Sequence, residues 1–284
     1  MRRSLLNLFW ESATRFQDRT AIIQDERRIS YTTLANWAAA IASFLRSEGL
    51  QQGDRVSVLI PNSPEYVAVY YGVLAAGGTV VPLNTAAKAR DLSNWVSHSQ
   101  SRWLFAQAVH PELKPLVDKV GNGLRLIKAG SNGGRADTTE AELLDILSAP
   151  SDDREISQGD ESRLLAAIVY TSGTTGRPKG VMLSHLNLYS VVDSILKYLK
   201  LTHEDKVMNV LPFYYIYGNS VLHTHLAAGG SIVLENSMLY PHQILERMAQ
   251  ECVSGFSGVP STFGILLKRT RLEDYDLSSL RYLT

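Results

Sequence analysis

The chain has 284 residues, 45% of them hydrophobic, which is enough to bury a core in one large domain or two modest ones. Lys plus Arg is 28 and Asp plus Glu is 28, so the net charge is zero, and no charge excess draws it to nucleic acid or an anionic membrane. A single cysteine, Cys252, excludes an internal disulfide and fits a reducing, cytoplasmic setting. Any anion must therefore be held by a compact local site.

Leu5, Leu8, Phe9, Ala13 and Phe16 recur at helical spacing, so the first segment reads as an amphipathic helix docked on the domain. No apolar run is long enough for a membrane span. Ala21–Gln24 and Arg28–Ser30 read as short strands. Leu34, Trp37, Ala38, Ile41 and Leu45 predict a helix that ends at Gly49. Val56–Ile60 reads as a buried strand. Ser63 is a helix cap, with Pro64 in the first turn and Tyr66, Val69, Tyr70, Val73 and Leu74 as the apolar stripe. Thr79–Pro82, a helix near Lys88–Ser99 and the strand Trp103–Phe105 follow. Residues 121–163 break the rhythm. Rich in Gly, Ser, Asp and Asn, they read as a mobile surface excursion with one short helix, Glu140–Leu147.

The alternation resumes at Leu164. Strands are expected at Leu164–Tyr170, Val207–Leu211, Ser231–Leu234 and Val253–Phe256, with helices near Gly218–Ala228 and Pro241–Gln250. Cys252 falls in the last helical pattern and is expected to be inert packing. Strands separated by helices imply parallel pairing, so the fold class is α/β. Leu280–Thr284 reads as the opening of another strand. His223 and His225 stand two apart on a helix and point to nearly opposite faces, so they make a poor metal site, and no metal ligand set is assigned.

The most informative stretch follows the strand Leu164–Tyr170. Thr171-Ser-Gly-Thr-Thr-Gly-Arg-Pro-Lys-Gly180 gathers hydroxyls, glycines and one cation. Glycines let backbone N–H groups approach an anion, hydroxyls add donors without charge, and Lys179 supplies a positive charge. Ser184 then caps a helix carrying Leu188, Val191 and Ile195. The chemistry is that of a polyphosphate cradle. It is neither the Gly-Lys-Ser/Thr nucleotide loop, because Lys179 stands between Pro178 and Gly180, nor a dinucleotide fingerprint. A ligand-free surface loop has no reason to combine these residues after a buried strand.

This stretch resembles the signature of the adenylate-forming superfamily: acyl- and aryl-CoA synthetases, peptide-synthetase adenylation domains and luciferases. Leu74–Leu83, Leu211-Pro-Phe-Tyr-Tyr-Ile-Tyr-Gly218, Ala227–Gly230 and Gly258–Ser261 are similar to further family motifs in the same order. The resemblance implies two parallel-rich β-sheet subdomains flanked by helices. Residues 55–200 would form about one sheet subdomain, and 1–54 plus 201–284 the second. It implies ATP with Mg2+ and a carboxylic acid as substrates, acyl-AMP as first product, and coenzyme A (CoA) or the phosphopantetheine of an acyl carrier protein as acceptor.

By the same resemblance, Thr171, Ser172, Gly173, Thr174, Thr175, Gly176 and Lys179 would contact the phosphates, with Thr174 and Lys179 closest to the chemistry. Tyr214, Tyr215, Gly218, Val259 and Pro260 would line the acyl pocket. Tyr215 replaces the histidine common in the family. Phe213–Tyr217 offers no carboxylate for an α-ammonium group, which favours a fatty or aryl acid over an amino acid. The same aromatics read equally well as core packing. The family's later motifs and its small C-terminal domain do not occur in these residues, so residues 1–284 read as an incomplete N-terminal AMP-binding domain, inactive by itself. Two other readings stay open: a catalytically incomplete nucleotide-binding or interaction module of the same fold, and an unrelated α/β phosphate-binding enzyme. An unfinished sheet edge predicts poor solubility or a homodimer through that edge.

Overall fold

The structure is a computed structural model that describes residues 4–121, 123–130, 140–149, 161–171 and 179–284. Its first elements are α1 (Leu5–Arg15), β1 (Thr20–Gln24), β2 (Arg27–Ser30), α2 (Tyr31–Ser47), β3 (Arg55–Leu59), α3 (Pro64–Ala75) and β4 (Thr79–Pro82). Next come α4 (Ala89–Ser99), β5 (Trp103–Gln107), α5 (Leu113–Val120), β6 (Arg125–Ala129), β7 (Glu140–Glu142) and α6 (Leu143–Ser148). Then follow β8 (Leu165–Thr171), β9 (Lys179–Ser184), α7 (His185–Leu199), β10 (Lys206–Asn209), α8 (Ile216–Ala228) and β11 (Ser231–Leu234). The last are α9 (Pro241–Gln250), β12 (Gly255–Ser257), α10 (Pro260–Arg269) and β13 (Tyr282–Leu283). No helix among the described residues is long and apolar enough to cross a membrane.

The chain divides into two compact units, Met1–Asn7 with Thr33–Tyr189, and Leu8–Thr32 with Ser190–Thr284. The first is built on a seven-stranded sheet, β7-β6-β5-β3-β4-β8-β9. Every pairing in it is parallel except β8 with β9. Short apolar strands buried on both faces are what a helix-covered parallel sheet requires. One core cluster combines Leu59, Val81, Leu104 and Ala106 of the strands with Leu92 and Val96 of α4 and Leu116 of α5. Ser63 caps α3 by accepting from the Tyr66 amide at 3.1 Å. Apart from Glu65, every residue of α3 is buried. The expected single apolar stripe is therefore corrected to a helix enclosed on all sides. At the start of α4 the N-cap, Lys88, cannot accept a bond from the helix amides. Glu112 does so instead, taking the Ala89 N–H at 2.9 Å while its other oxygen pairs with Lys88 at 3.0 Å.

The surface excursion expected over 121–163 is corrected at its first described segment. Arg125–Ala129 forms β6, paired in parallel with β5 from Trp103–Arg125 to Gln107–Ala129. Its five residues lie between glycines and include two charges, so pattern alone gave it no strand signature. The helix expected over Glu140–Leu147 begins later, at Leu143, because Glu140–Glu142 pairs with β6. The eight-residue α5 also went unmarked in the sequence.

The second unit is built on a six-stranded sheet, β13-β12-β10-β11-β1-β2, parallel except for β1 with β2. Met208, Val233, Ile244, Met248, Phe256 and Leu266 fill one side of its core. Two buried carboxylates tie its elements together. Asp205 accepts from Arg281 at 2.8 Å, from Ser254 at 2.8 Å and from the Thr202 amide at 2.8 Å. Burial opposes its charge, but the bonds from Arg281, Thr202 and Ser254 win and hold its pKa below the ordinary aspartate value. Glu251 joins Arg28 of β2 at 2.6 Å and Lys206 of β10 at 3.2 Å. The Arg28 hydrogen bond is the main reason its carboxyl is likewise held low. Cys252 follows α9 with φ 48 and is exposed, so the expectation that it packs inside the helix is corrected. The residue turns the chain out of the helix.

Candidate functional site

β8 and β9, the strands on either side of the glycine- and hydroxyl-rich stretch, lie at one edge of the seven-stranded sheet. β8 delivers the chain to Thr171 and β9 takes it back from Lys179, and these two residues face each other in register. Ser172, Gly173, Thr174, Thr175 and Gly176 lie outside the described residues. Thr171 and Lys179 are both exposed. Residues directly opposite in an antiparallel pair project to the same face, so a hydroxyl and an ammonium group stand together at the neck of the hairpin. Behind them the strand is core. Tyr170 is 9% exposed and belongs to the cluster that includes Leu92 and Val96.

Gly180 makes the neck possible. A Cβ there would lie 2.7 Å from Cγ2 of Ile168, a branched methyl that cannot swing aside. No strand was expected at Lys179–Ser184, only a loop leading to a helix. The antiparallel β8–β9 pair corrects that expectation, because a short excursion can return a chain only beside the strand it just left. Beyond β9, Ser184 caps α7 as expected, its hydroxyl accepting from the Asn187 amide at 3.1 Å.

The acyl-pocket candidates belong to the six-stranded unit. Tyr214, Tyr215 and Gly218 follow β10, and Val259 and Pro260 follow β12. The two strands are parallel neighbours with Asn209 opposite Ser257, so both segments leave the sheet side by side at its carboxyl edge. That edge is where open α/β sheets bind ligands. The aromatic run divides there. Phe213 is fully buried, while Tyr215 is 51% and Ile216 52% exposed. The rings of Tyr214 and Tyr215 meet at 4.6 Å between centroids, tilted by 59°. Gly218 sits so near the preceding loop that a Cβ would stand 2.3 Å from the Pro212 carbonyl oxygen. Val259 is 40% exposed and begins α10, with Pro260 exposed beside it.

Several polar groups at this edge carried no recognisable sequence signal. Tyr217 donates to Thr284 Oγ1 at 3.0 Å, and Ser257 Oγ lies 2.8 Å from the same atom. Asn209 donates to the Leu211 carbonyl at 2.9 Å, and its buried Oδ1 has no hydrogen-bond partner among the described residues. Only the nearby strand ends and glycines could have pointed to them.

The two histidines of α8 are interior residues. His225 Nδ1 lies 2.8 Å from the Val221 carbonyl and its Nε2 is bonded to the Tyr282 hydroxyl, so neither nitrogen is open to a metal. Burial lowers the pKa of His223 to about 3 and of His225 to about 4, leaving both neutral. Among the described residues no group of three or more His, Cys, Asp or Glu side chains could hold a metal ion.

A family model described as AMP-binding enzyme matches residues 9–284. A long-chain-fatty-acid–CoA ligase of Bacillus subtilis (strain 168) is 29% identical over 98% of this chain and 54% of its own length. A feruloyl-CoA synthase of an Amycolatopsis species is 30% identical over 93% of this chain and 50% of its own. Among solved structures, MatB from Rhodopseudomonas palustris with ATP bound superposes with a TM-score of 0.83 at 30% identity, covering 100% of this chain and 54% of that one. The anthranilate CoA ligase AuaEII in complex with anthranoyl-AMP has a TM-score of 0.89 at 20% identity over 99% of this chain and 54% of its own, which shows the shared fold. The chain spans about half the length of these curated ligases.

Proposed function

This chain belongs to the AMP-binding enzyme family, and on that premise we propose that it supplies the triphosphate-gripping and acyl-facing part of an ATP-dependent carboxylic acid ligase. The observation that carries the reading is the neck of the hairpin, where exposed Thr171 and Lys179 stand opposite each other and flank the Ser/Thr/Gly stretch.

In this reading the acid's carboxylate attacks the α-phosphorus of ATP. The bond to the bridging oxygen breaks and pyrophosphate leaves with the electron pair, giving acyl-AMP. Lys179 places its positive charge against the oxygens of the leaving pyrophosphate, and the Thr171 hydroxyl donates to them. Ser172, Gly173, Thr174, Thr175 and Gly176 add hydroxyl and backbone donors. Fixed donors aimed at developing charge do most of the work in phosphoryl-type chemistry. Magnesium bound to the triphosphate would supply further charge neutralisation there. The thiol sulfur of CoA or of a carrier-protein phosphopantetheine then attacks the acyl carbon, the acyl–oxygen bond breaks, AMP leaves with its electron pair, and the thiol proton passes to solvent.

Tyr214, Tyr215, Gly218, Val259 and Pro260 are the proposed acyl side. Segments 211–217 and 258–260 carry no charged side chain. A fatty or aryl tail can be desolvated against them, whereas an α-ammonium group would lose its hydration with no carboxylate in return. The names of the relatives, a long-chain fatty acid ligase and a feruloyl-CoA synthase, agree with both tail classes.

The test is acid-dependent exchange of labelled pyrophosphate into ATP by the intact protein, run over fatty, aryl and amino acids. Stimulation by fatty or aryl acids and none by amino acids is expected. Failure of every acid, or a preference for amino acids, would overturn the reading.

A further inference from the structure

Tyr170, the residue before Thr171, makes contacts that the nucleotide reading leaves unused. Its hydroxyl shares a hydrogen bond of 2.8 Å with Nδ1 of His98. Its ring stacks on Trp95 with centroids 5.7 Å apart and planes 20° apart. The His98 ring meets it edge-on at 5.8 Å. Trp95 and His98 stand three apart on α4, a spacing that puts them on one helical face. From the other strand, Gly180 is the register partner of Tyr170, and a Cβ there would stand 3.4 Å from Tyr170 Cζ. The ring is thus enclosed by the helix on one side and bare backbone on the other.

A phenylalanine would fill the same space against Trp95. What the hydroxyl adds is direction, because its bond to His98 fixes the ring and with it the backbone at the end of β8. Burial raises the Tyr170 pKa, so the group stays a neutral phenol able to keep that bond. Side chains alternate along a strand, so Thr171 projects to the face opposite Tyr170, with Lys179 beside it.

We infer that Trp95 and His98 are positioning residues for the nucleotide. They hold Tyr170 in one orientation and so fix where Thr171 and, across the ladder, Lys179 meet the triphosphate. This inference rests on the ATP reading of the hairpin. Reacting groups misplaced by a fraction of an ångström lose rate even when nothing they touch has been removed.

The test compares the intact protein with Tyr170→Phe, His98→Ala and the double substitution. The readouts are KM for magnesium ATP, KM for the acid and the thermal midpoint. Each single substitution is expected to raise the KM for ATP about fivefold, with the KM for the acid unchanged. The double substitution should cost no more than either single one, because both delete the same bond. His98→Asn, whose amide can stand near the place of Nδ1, should recover part of the loss. His98 is exposed, so His98→Ala keeps the test open if Tyr170→Phe folds poorly. An ATP KM within about twofold of the parent in both single variants, additive losses, or an equal rise in the acid KM would each overturn the inference. If the parent protein itself shows no ATP-dependent exchange, the ATP reading fails and this inference falls with it. If the parent is active and the variants match it, the inference alone falls.

Discussion

The neck of the hairpin and the carboxyl edge of β10 and β12 were both marked by motif, yet the fold treats them in opposite ways. At the neck, the two described polar residues, Thr171 and Lys179, are exposed and in register. At the edge, residues of one chemical kind are divided. Phe213 is fully buried and Tyr215 is half exposed, two positions later. The difference teaches that a polar motif declares its own exposure, because burying Lys or Thr without partners is costly, whereas an aromatic residue gains from burial but is tolerated at the surface, so its motif does not declare its place.

Acid should separate the two units most strongly. The six-stranded unit buries His223 and His225 as neutral rings, while the seven-stranded unit buries His185, its pKa lowered by burial to about 4. A lowered histidine pKa means that the unfolded chain takes up protons the folded one refuses. Stability is therefore intact above the ordinary value of 6.5 and falls as pH drops towards the folded values of about 3 to 4. Asp205 and Glu251 add a loss below their ordinary values of 3.8 and 4.5, since their folded pKa values lie lower still. Hydrogen exchange in β10 and β12, corrected for intrinsic rates, should lose more protection between pH 7 and pH 4.5 than exchange in β3 and β5, by on the order of a few kcal/mol. Equal losses would break the comparison.

Phe213→Ala should cost about 4 kcal/mol in urea unfolding, because the ring is fully enclosed. Lys179→Ala should lower pyrophosphate exchange about 100-fold and change stability by less than about 0.5 kcal/mol. A stability loss there with exchange intact would mean that the neck is structural. Tyr215→Ala should cost only about 1 kcal/mol of stability, through its lost ring contact with Tyr214. Its consequence should be an altered acid profile, and an unchanged profile would remove Tyr215 from the acyl side.

Most of the fold was legible in the sequence because most elements are strongly periodic or clearly punctuated. Ser63-Pro64 starts α3, and the glycines after Ala76 and Ala228 mark helix ends. The exceptions share a cause. β6, β7 and α5 are short, so pairing or packing with neighbours rather than internal pattern stabilises them. β9 is exposed along much of its length and exists because β8 offers it a ladder. Cys252 ended a helical pattern on paper, but the helix stops at Gln250 and the chain turns there.

What the sequence determined by itself was the chemistry available: a strand running into hydroxyls, glycines and one lysine, and an aromatic run without charge. Those depend on residue type and order, which the chain carries with it. What only the tertiary structure decided was placement. Gly180 and Gly218 are required by atoms 12 and 6 residues away along the chain, Ile168 Cγ2 and the Pro212 carbonyl oxygen. The Trp95–His98–Tyr170 contact joins an exposed helical histidine to a strand residue separated from it by 72 positions. The first two are set by how the chain turns back on itself, and the third by the packing of a helix on a strand far from it in sequence, and no local pattern encodes them.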